Sequence, residues 1–156
     1  MRSALASVGL ALVARAAAGQ GGSLAASEVD VGMTGTWARR DFYGISVGVA
    51  RRPGGPGRAA LSAAGGTLAG TAALRLELMG QFLILPEARE GVSPYLGFGL
   101  GYLTARHARG TGVLMALVGI ESPEGRRAGW FTELGVGGGA RIRAGYRWRR
   151  LPPWWS

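Results

Sequence analysis

The segment that decides the fold is "SPYLGFGLGYLTAR", residues 93–106, in which glycine recurs at every second position. Single large apolar residues separate Gly97, Gly99 and Gly101. Successive side chains of a β-strand point to opposite faces. The segment therefore predicts a strand with one face that carries no side chains and one face that carries bulky apolar groups.

The same alternation recurs along the chain after residue 26, where large apolar residues alternate with glycine, polar or charged residues. This period of two is typical of strands that have two different faces. The segments that show it are "EVDVGMTGTW" (28–37), "FYGISVGVA" (42–50), "ALRLELMGQFLIL" (73–85), "GWFTELGV" (129–136) and "ARIRAGYRW" (140–148). Residues 58–65 are rich in alanine and predict either a strand or the start of a helix, and residues 113–121 are apolar on both faces.

Counting both ambiguous segments gives eight strands. The segments between them have the composition of turns. They are "ARRD", "RRPGGPG", the "GG" of residues 65–66, "PEAREG", "RHARG", "SPEGRR" and "GGG".

The composition excludes several kinds of chemistry. The 156 residues include 29 glycines, no cysteine and one histidine, and all 18 basic residues are arginine. The chain therefore lacks a lysine for a P-loop or a Schiff base, a thiol nucleophile, and a set of histidines for a metal site. We predict no catalytic, cofactor-binding or metal site. The net charge of +9 is spread along the chain, so we expect no nucleic-acid partner.

The first residues have the pattern of an export signal. Arg2 precedes an apolar run, and small residues at 16–18 offer a cleavage site. We predict a cleaved signal peptide over residues 1–18 and a short segment over 19–26. The alternative is an ordinary N-terminal helix. The run is too short to span a membrane, which takes about 20 apolar residues.

The distribution of aromatic residues favours a membrane barrel over a soluble sandwich, since a barrel turns its apolar face to lipid and its polar face inward. With strands of alternating direction, the aromatic residues divide into two girdles. One contains Trp37, Tyr43 and Tyr102, and the other contains Phe82, Trp130, Tyr146 and Trp148. We predict an all-β, eight-stranded, antiparallel up-and-down transmembrane β-barrel over residues 27–149, followed by a tail over 150–156.

In such a barrel the glycines of residues 97–101 would make room inside for long arginine and glutamate side chains. The alternative is that these glycines are bulges in a soluble sheet. The pattern predicts an internal ion-pair network, because buried charges must be paired. Its members are Glu28, Asp30, Arg75, Glu77, Glu133, Arg141, Arg143 and Arg147.

Two parts of this network follow from geometry. A three-residue loop at 137–139 would set Glu133 opposite Arg143. Closure of the first strand on the eighth would bring Glu28 and Asp30 close to Arg143 and Arg147.

The segment "PYLGFGLGY" resembles the Pro-Tyr-x-Gly-x-Gly-x-Gly strand of the small outer-membrane β-barrel superfamily, which includes the opacity proteins and the OmpA-like transmembrane domains. "IRAGYRW" resembles the last strand of that family, which ends in an aromatic residue read by the barrel-insertion machinery. The chain departs from the family pattern by continuing as "RRLPPWWS", so either Trp148 or Trp155 could be the signal. The resemblance implies a location in the outer membrane of a Gram-negative-type bacterium.

Two motifs could suggest catalysis. Residues 44–48 match Gly-x-Ser-x-Gly, but a nucleophile elbow needs a sharp strand-to-helix turn, whereas Ser46 lies inside an alternating segment. His107 lies in a predicted loop, and the serine that outer-membrane lipid A deacylases place two residues later is replaced by Arg109. We expect neither residue to be catalytic.

The function expected from these patterns is a non-enzymatic integral outer-membrane barrel, monomeric, with a structural, envelope-stabilising or surface-contact role. Its partners would be outer-membrane lipid, the insertion machinery and lipopolysaccharide. Arginines of the predicted outer loops would contact lipopolysaccharide phosphates; they are Arg39, Arg40, Arg106 and Arg109. The alternatives are a small outer-membrane lipid hydrolase and a soluble exported barrel that binds a small apolar ligand.

Overall fold

The computed structural model describes residues 24–106 and 108–155. The predicted signal peptide and His107 lie outside the described residues. The eight strands are β1 (Ala26–Trp37), β2 (Phe42–Gly54), β3 (Gly57–Leu68), β4 (Thr71–Leu83), β5 (Ser93–Ala105), β6 (Thr111–Glu121), β7 (Ala128–Val136) and β8 (Ala140–Arg150).

The strands form a closed barrel in which each strand pairs antiparallel with the next and β1 pairs antiparallel with β8. This confirms the predicted eight-stranded, up-and-down architecture. The start of β1 and the end of β8 lie at one rim, which we call the terminal rim, together with the loops 55–56, 84–92 and 122–127. The opposite rim carries the loops 38–41, 69–70, 106–110 and 137–139 and is called the far rim. The described residues contain no helix long and apolar enough to cross a membrane.

The alanine-rich segment is a strand, and two predicted turns are wrong. β3 continues through the glycines at 65–66, and the chain turns instead at Ala69 and Gly70, whose φ angles are 48° and 82°. Such positive values at both central residues are those of a tight hairpin turn. The predicted turn "RRPGGPG" shrinks to residues 55–56, because β2 extends to Gly54 and β3 begins at Gly57.

The strands turn most of their large apolar side chains outward and nearly all of their charged side chains inward. Large apolar residues on all eight strands are exposed, including Met33 at 73%, Phe98 at 70% and Leu114 at 80%. In contrast, Arg75 and Arg147 are 2% and 0% exposed. Soluble proteins bury apolar groups and expose charged ones, so the arrangement is that of a barrel whose outer face meets lipid.

The aromatic residues lie in two bands on the outer face. Trp37 and Tyr43 pack edge-to-face at the far rim, and Tyr146 and Trp148 pack in the same way near the terminal rim. Trp148 pairs with Val29, and Trp37 lies eight positions after Val29 along β1. At about 3.3 Å per residue and a tilt of about 40°, the bands are about 20 Å apart, close to the ~25 Å apolar band of outer-membrane barrels.

The glycines of β5 face the interior, but the space beside them is not used as predicted. A Cβ atom at Gly97 would lie 3.0 Å from Leu117, and one at Gly101 would lie 2.7 Å from the Met115 sulfur. A Cβ at Gly99 would lie 2.7 Å from the Met79 sulfur. The space is therefore filled by apolar side chains of the two neighbouring strands, and not by arginine and glutamate.

Candidate functional site: the charged interior and the two rims

The interior contains seven buried arginines and six buried carboxylates. A charge in such a place is tolerated only when it is paired and hydrogen-bonded, because its desolvation costs several kcal/mol. Each of the seven arginines forms at least one ion pair with a buried carboxylate. The pairs form two networks with a bridge between them.

The upper network lies toward the far rim and consists of Arg75, Glu77, Glu133 and Arg141. Arg75 Nε lies 2.6 Å from Glu77 Oε1, and Arg141 Nη2 lies 2.7 Å from Glu77 Oε2. Arg141 also reaches Glu133 through Nη1, at 3.1 Å. Tyr95 donates its hydroxyl proton to the other oxygen of Glu133, at 2.9 Å. One arginine thus joins two carboxylates on different strands of the barrel.

The bridge consists of Asp30, Arg143 and Arg147, which the closure of β1 on β8 brings together. Arg143 forms an ion pair with Asp30, and Arg147 Nη2 lies 3.3 Å from the same carboxylate. Glu133 pairs with Arg143 across the β7–β8 hairpin, as the register argument expected, and their charged atoms are 3.9 Å apart. Both guanidinium groups lie over the Phe131 ring, with Cζ 5.0 and 4.7 Å from its centroid.

The lower network lies at the terminal rim and consists of Glu28, Arg52, Arg58, Glu121, Glu124 and Arg149. Arg58 Nη1 lies 3.0 Å from Glu28 and 2.7 Å from Glu121. Arg149 Nη2 lies 2.8 Å from Glu121, and Arg52 Nη1 lies 2.9 Å from Glu124. Arg147 reaches Glu28 at 3.6 Å, so the bridge connects to this network as well.

Sequence reasoning found only Glu28 of the lower network. Arg52 lies in the predicted turn "RRPGGPG", which is largely strand, and Arg58 begins the alanine-rich segment whose strand or helix character the sequence leaves open. Glu124 is in a loop that folds inward. Two members could have been found from the alternation of faces along a strand. Arg149 is two residues after the inward Arg147, and Glu121 is four residues after the inward Leu117, so both face the interior.

The mouth at the terminal rim is covered by two loops and the tail. Arg52 Nη1 donates to the Pro86 carbonyl of the loop 84–92, at 3.0 Å. The Gly125 amide of the loop 122–127 donates to the Ala88 carbonyl, at 2.9 Å. Trp155 of the tail donates its indole N–H to the Gly125 carbonyl, at 3.0 Å. These bonds connect the three segments across the mouth.

Glu124 is the carboxylate by which the loop 122–127 enters the lower network. Its side chain is fully buried beside Glu121. Burial, followed by the hydrogen bond that it shares with Glu121, raises the pKa of Glu124 from 4.5 to about 8. The loop 122–127 therefore brings into the lower network a carboxyl group that holds its proton more tightly than a free glutamate does.

The four arginines assigned to lipopolysaccharide contact are all exposed at the far rim. Arg39 and Arg40 lie in the loop 38–41, where the Asp41 carboxylate accepts a hydrogen bond from the Ala38 amide. Arg106 and Arg109 lie in the loop 106–110. Their placement on one rim makes that rim basic.

Ser46 lies within β2 and faces the interior, where its Oγ accepts a hydrogen bond from Arg143 Nε at 2.9 Å. The position is not a strand-to-helix turn, so Ser46 lacks the geometry of a nucleophile elbow. Its observed role is to satisfy a buried guanidinium.

The two candidates for the terminal aromatic signal differ in their contacts. Trp148 is on the outer face of β8 and is 48% exposed. Trp155 is tied to Gly125 and stacks with Arg89, whose Cζ lies 4.3 Å from its ring centroid. Trp155 is thus part of the cover over the mouth.

Comparison with solved structures finds the same fold in two outer-membrane proteins. The N-terminal β-barrel domain of Pseudomonas aeruginosa OprF matches with a TM-score of 0.62 at 16% identity, over 80% of this chain and 97% of that one. Neisserial surface protein A (NspA) matches with a TM-score of 0.59 at 11% identity, over 80% and 96%. No protein-family model and no curated protein sequence matches the chain. The chain therefore has the fold of the small eight-stranded outer-membrane β-barrels.

Proposed function

We propose that the chain is a non-enzymatic, monomeric, integral outer-membrane β-barrel with a structural role, either stabilising the envelope or making contacts at its surface. The observation that carries the proposal is the separation of the two faces. The outer face is a continuous apolar surface between two aromatic bands, and the inner face holds ion pairs that water does not reach. A surface of this kind is stable only when something apolar covers it.

Two features argue against the alternatives. A soluble barrel that binds an apolar ligand needs an open apolar interior, whereas paired charges occupy much of this interior and packed side chains fill the space beside β5. A lipid hydrolase needs a nucleophile that its substrate can reach, and the serine of the Gly-x-Ser-x-Gly motif is buried against Arg143.

Membrane fractionation combined with a heat-modifiability gel tests the proposal. The folded protein should be found with the outer membrane, after removal of a signal peptide, and should migrate differently before and after boiling. Recovery of a folded protein in the soluble periplasmic fraction would overturn the proposal.

We also propose an orientation in which the terminal rim faces the periplasm and the far rim faces outward. Arg39, Arg40, Arg106 and Arg109 would then lie at the level of lipopolysaccharide phosphates, which arginine binds with two parallel hydrogen bonds. The test is the amount of lipopolysaccharide that copurifies with the folded barrel. Replacing Arg39 and Arg40 by glutamine should reduce it, whereas replacing Arg126 and Arg127, which are exposed at the opposite rim, should not.

The insertion machinery is proposed to read β8 with Trp148 as its terminal aromatic residue. The supporting observation is that Trp148 is on the outer face of the last strand, whereas Trp155 is engaged in covering the mouth. Trp148→Ala should reduce the fraction of protein assembled in the outer membrane more than Trp155→Ala does. The opposite ranking would transfer the signal to the tail.

A further inference from the structure

The outward face of the eight strands carries only two charged residues, and both are arginines. Every charged residue within the strands is buried except Arg51 of β2 and Arg150 of β8, and both of these are exposed. All seven buried arginines have a carboxylate partner. Neither Arg51 nor Arg150 forms an ion pair with a carboxylate of the described residues.

The two exceptions lie side by side. Ser27 of β1 pairs with Arg51 on one side and with Arg150 on the other, and residues directly opposite in a sheet share a face. Neighbouring strands are about 4.8 Å apart, so the two arginine Cα atoms are about 10 Å apart with the Ser27 hydroxyl between them. One ligand above Ser27 can therefore contact both guanidinium groups.

This trio lies at the lower edge of the apolar outer face. The next row toward the middle of the barrel consists of Val49, Val29 and Trp148, all exposed and all apolar. On the other side, a shallow recess continues beneath the arginines between Pro53 and the tail residue Pro152. A ligand that combines an anionic group with long apolar chains matches this sequence of surfaces.

We propose that Arg51, Ser27 and Arg150 bind the phosphate group of a membrane glycerophospholipid at the terminal rim, with its acyl chains lying along the outer face above Val29. The inference rests on the proposed membrane barrel and goes beyond it by assigning a lipid site. Two guanidinium forks bind phosphate oxygens through charge-assisted hydrogen bonds, and the serine hydroxyl donates a third bond. The site is at the rim opposite to the four arginines proposed for lipopolysaccharide.

The test is a titration of the detergent-solubilised, folded barrel with dioleoylphosphatidylglycerol, with bound lipid counted by native mass spectrometry. The double variant Arg51→Gln/Arg150→Gln should bind about 30-fold more weakly, which corresponds to about 1 kcal/mol for each arginine near a lipid surface. Both side chains are exposed, so the variant should keep the heat-modifiable gel shift of the folded barrel.

The matched control is Arg126→Gln/Arg127→Gln, which removes the same charge from exposed positions of the loop 122–127 at the same rim. It should leave lipid binding unchanged. Equal losses in the two double variants, or no loss in the first, would overturn the inference. Displacement of the lipid by millimolar inorganic phosphate would also overturn it, since the site would then be one for soluble anions.

The wild-type protein separates this inference from the proposed function. If it enters phospholipid vesicles and the two double variants bind lipid equally well, only the lipid site is refuted. If the folded wild-type protein stays outside the vesicles, the membrane barrel is refuted, and the lipid site with it.

Discussion

Leu78→Arg tests most directly whether the outer face meets lipid. Leu78 lies in the middle of β4 and is 54% exposed, and Leu61 and Leu100 lie opposite it on the two neighbouring strands. Arginine at the midplane of the lipid face of a barrel costs about 2–4 kcal/mol of unfolding free energy. If the same face met water, replacing an exposed residue would change the unfolding free energy by no more than about 0.5 kcal/mol.

Ala72→Arg is the matched control, because Ala72 is exposed on the same face of the same strand. Positions 72 and 78 are six residues apart, which is about 20 Å along the strand, or about 15 Å along the membrane normal at a tilt of about 40°. That is more than half of the ~25 Å apolar band, so we expect a cost of at most about 1 kcal/mol at position 72.

The assay is urea unfolding in phosphatidylcholine vesicles, followed by tryptophan fluorescence and by the heat-modifiable gel shift. Equal costs at positions 72 and 78, both below about 1 kcal/mol, would refute a lipid-facing surface. An arginine in the lumen at Gln81 is not a suitable control. Gln81 Oε1 accepts a hydrogen bond from Arg58 Nε at 2.7 Å, so arginine there would add an unpaired charge to the lower network.

Three further changes test the interior. Gly99→Ala puts a Cβ 2.0 Å from the Leu78 carbonyl oxygen and should lower the unfolding free energy by about 1–3 kcal/mol. The control is Gly65→Ala, whose Cβ would have no atom within 4 Å and which should be nearly neutral in the same urea unfolding experiment. Glu133→Gln leaves Arg141 with one carboxylate fewer and should lower the unfolding free energy by about 3–5 kcal/mol. The control Glu87→Gln, at an exposed position, should change it by less than about 0.5 kcal/mol. Similar urea midpoints for the two variants would argue against the upper network. The fold raises the pKa of Glu124 from 4.5 to about 8, so the stabilising contribution of the Glu124 proton is complete below pH 4.5 and is lost as pH rises through about 8. The urea midpoint of the wild-type protein should therefore fall over this pH range. The midpoint of Glu124→Gln should stay level.

The strands were predictable from the sequence because a barrel wall has an apolar outer face and a largely polar inner face, and every residue on a strand must suit one of the two. Period-two alternation therefore runs through β2 and β8 and through most of β1 and β4, and along these stretches an odd or even residue number is enough to assign a residue to its face. The three-residue loop at 137–139 fixes the register of the hairpin that joins β7 to β8, and this register placed Glu133 opposite Arg143.

The cover over the terminal mouth was not predictable in the same way. Its contacts join positions far apart in the chain, such as Arg52 with Glu124, or the Trp155 indole with the Gly125 carbonyl. No periodicity governs such contacts, because loops have no repeating geometry. The turn composition of "RRPGGPG" was a misleading signal, since proline and glycine at 53–57 flank a two-residue turn while Arg52 and Arg58 on either side point into the lumen.

The glycines of β5 explain why the lumen is divided as it is. A strand without inward side chains at 97–101 lets Met79 of β4 and Met115 and Leu117 of β6 lie across it, and these form an apolar cluster with Tyr95 and Leu83. Seven of the thirteen buried charged residues lie on the opposite wall, built from β7, β8 and β1, where every arginine has a carboxylate partner on a neighbouring strand or across the lumen. We expect an interior that is closed by apolar packing on one wall and by ion pairs on the other to leave no open pore, which planar-bilayer recordings of the monomer would test. The bare face of β5 thus makes possible the close packing of a barrel of this size.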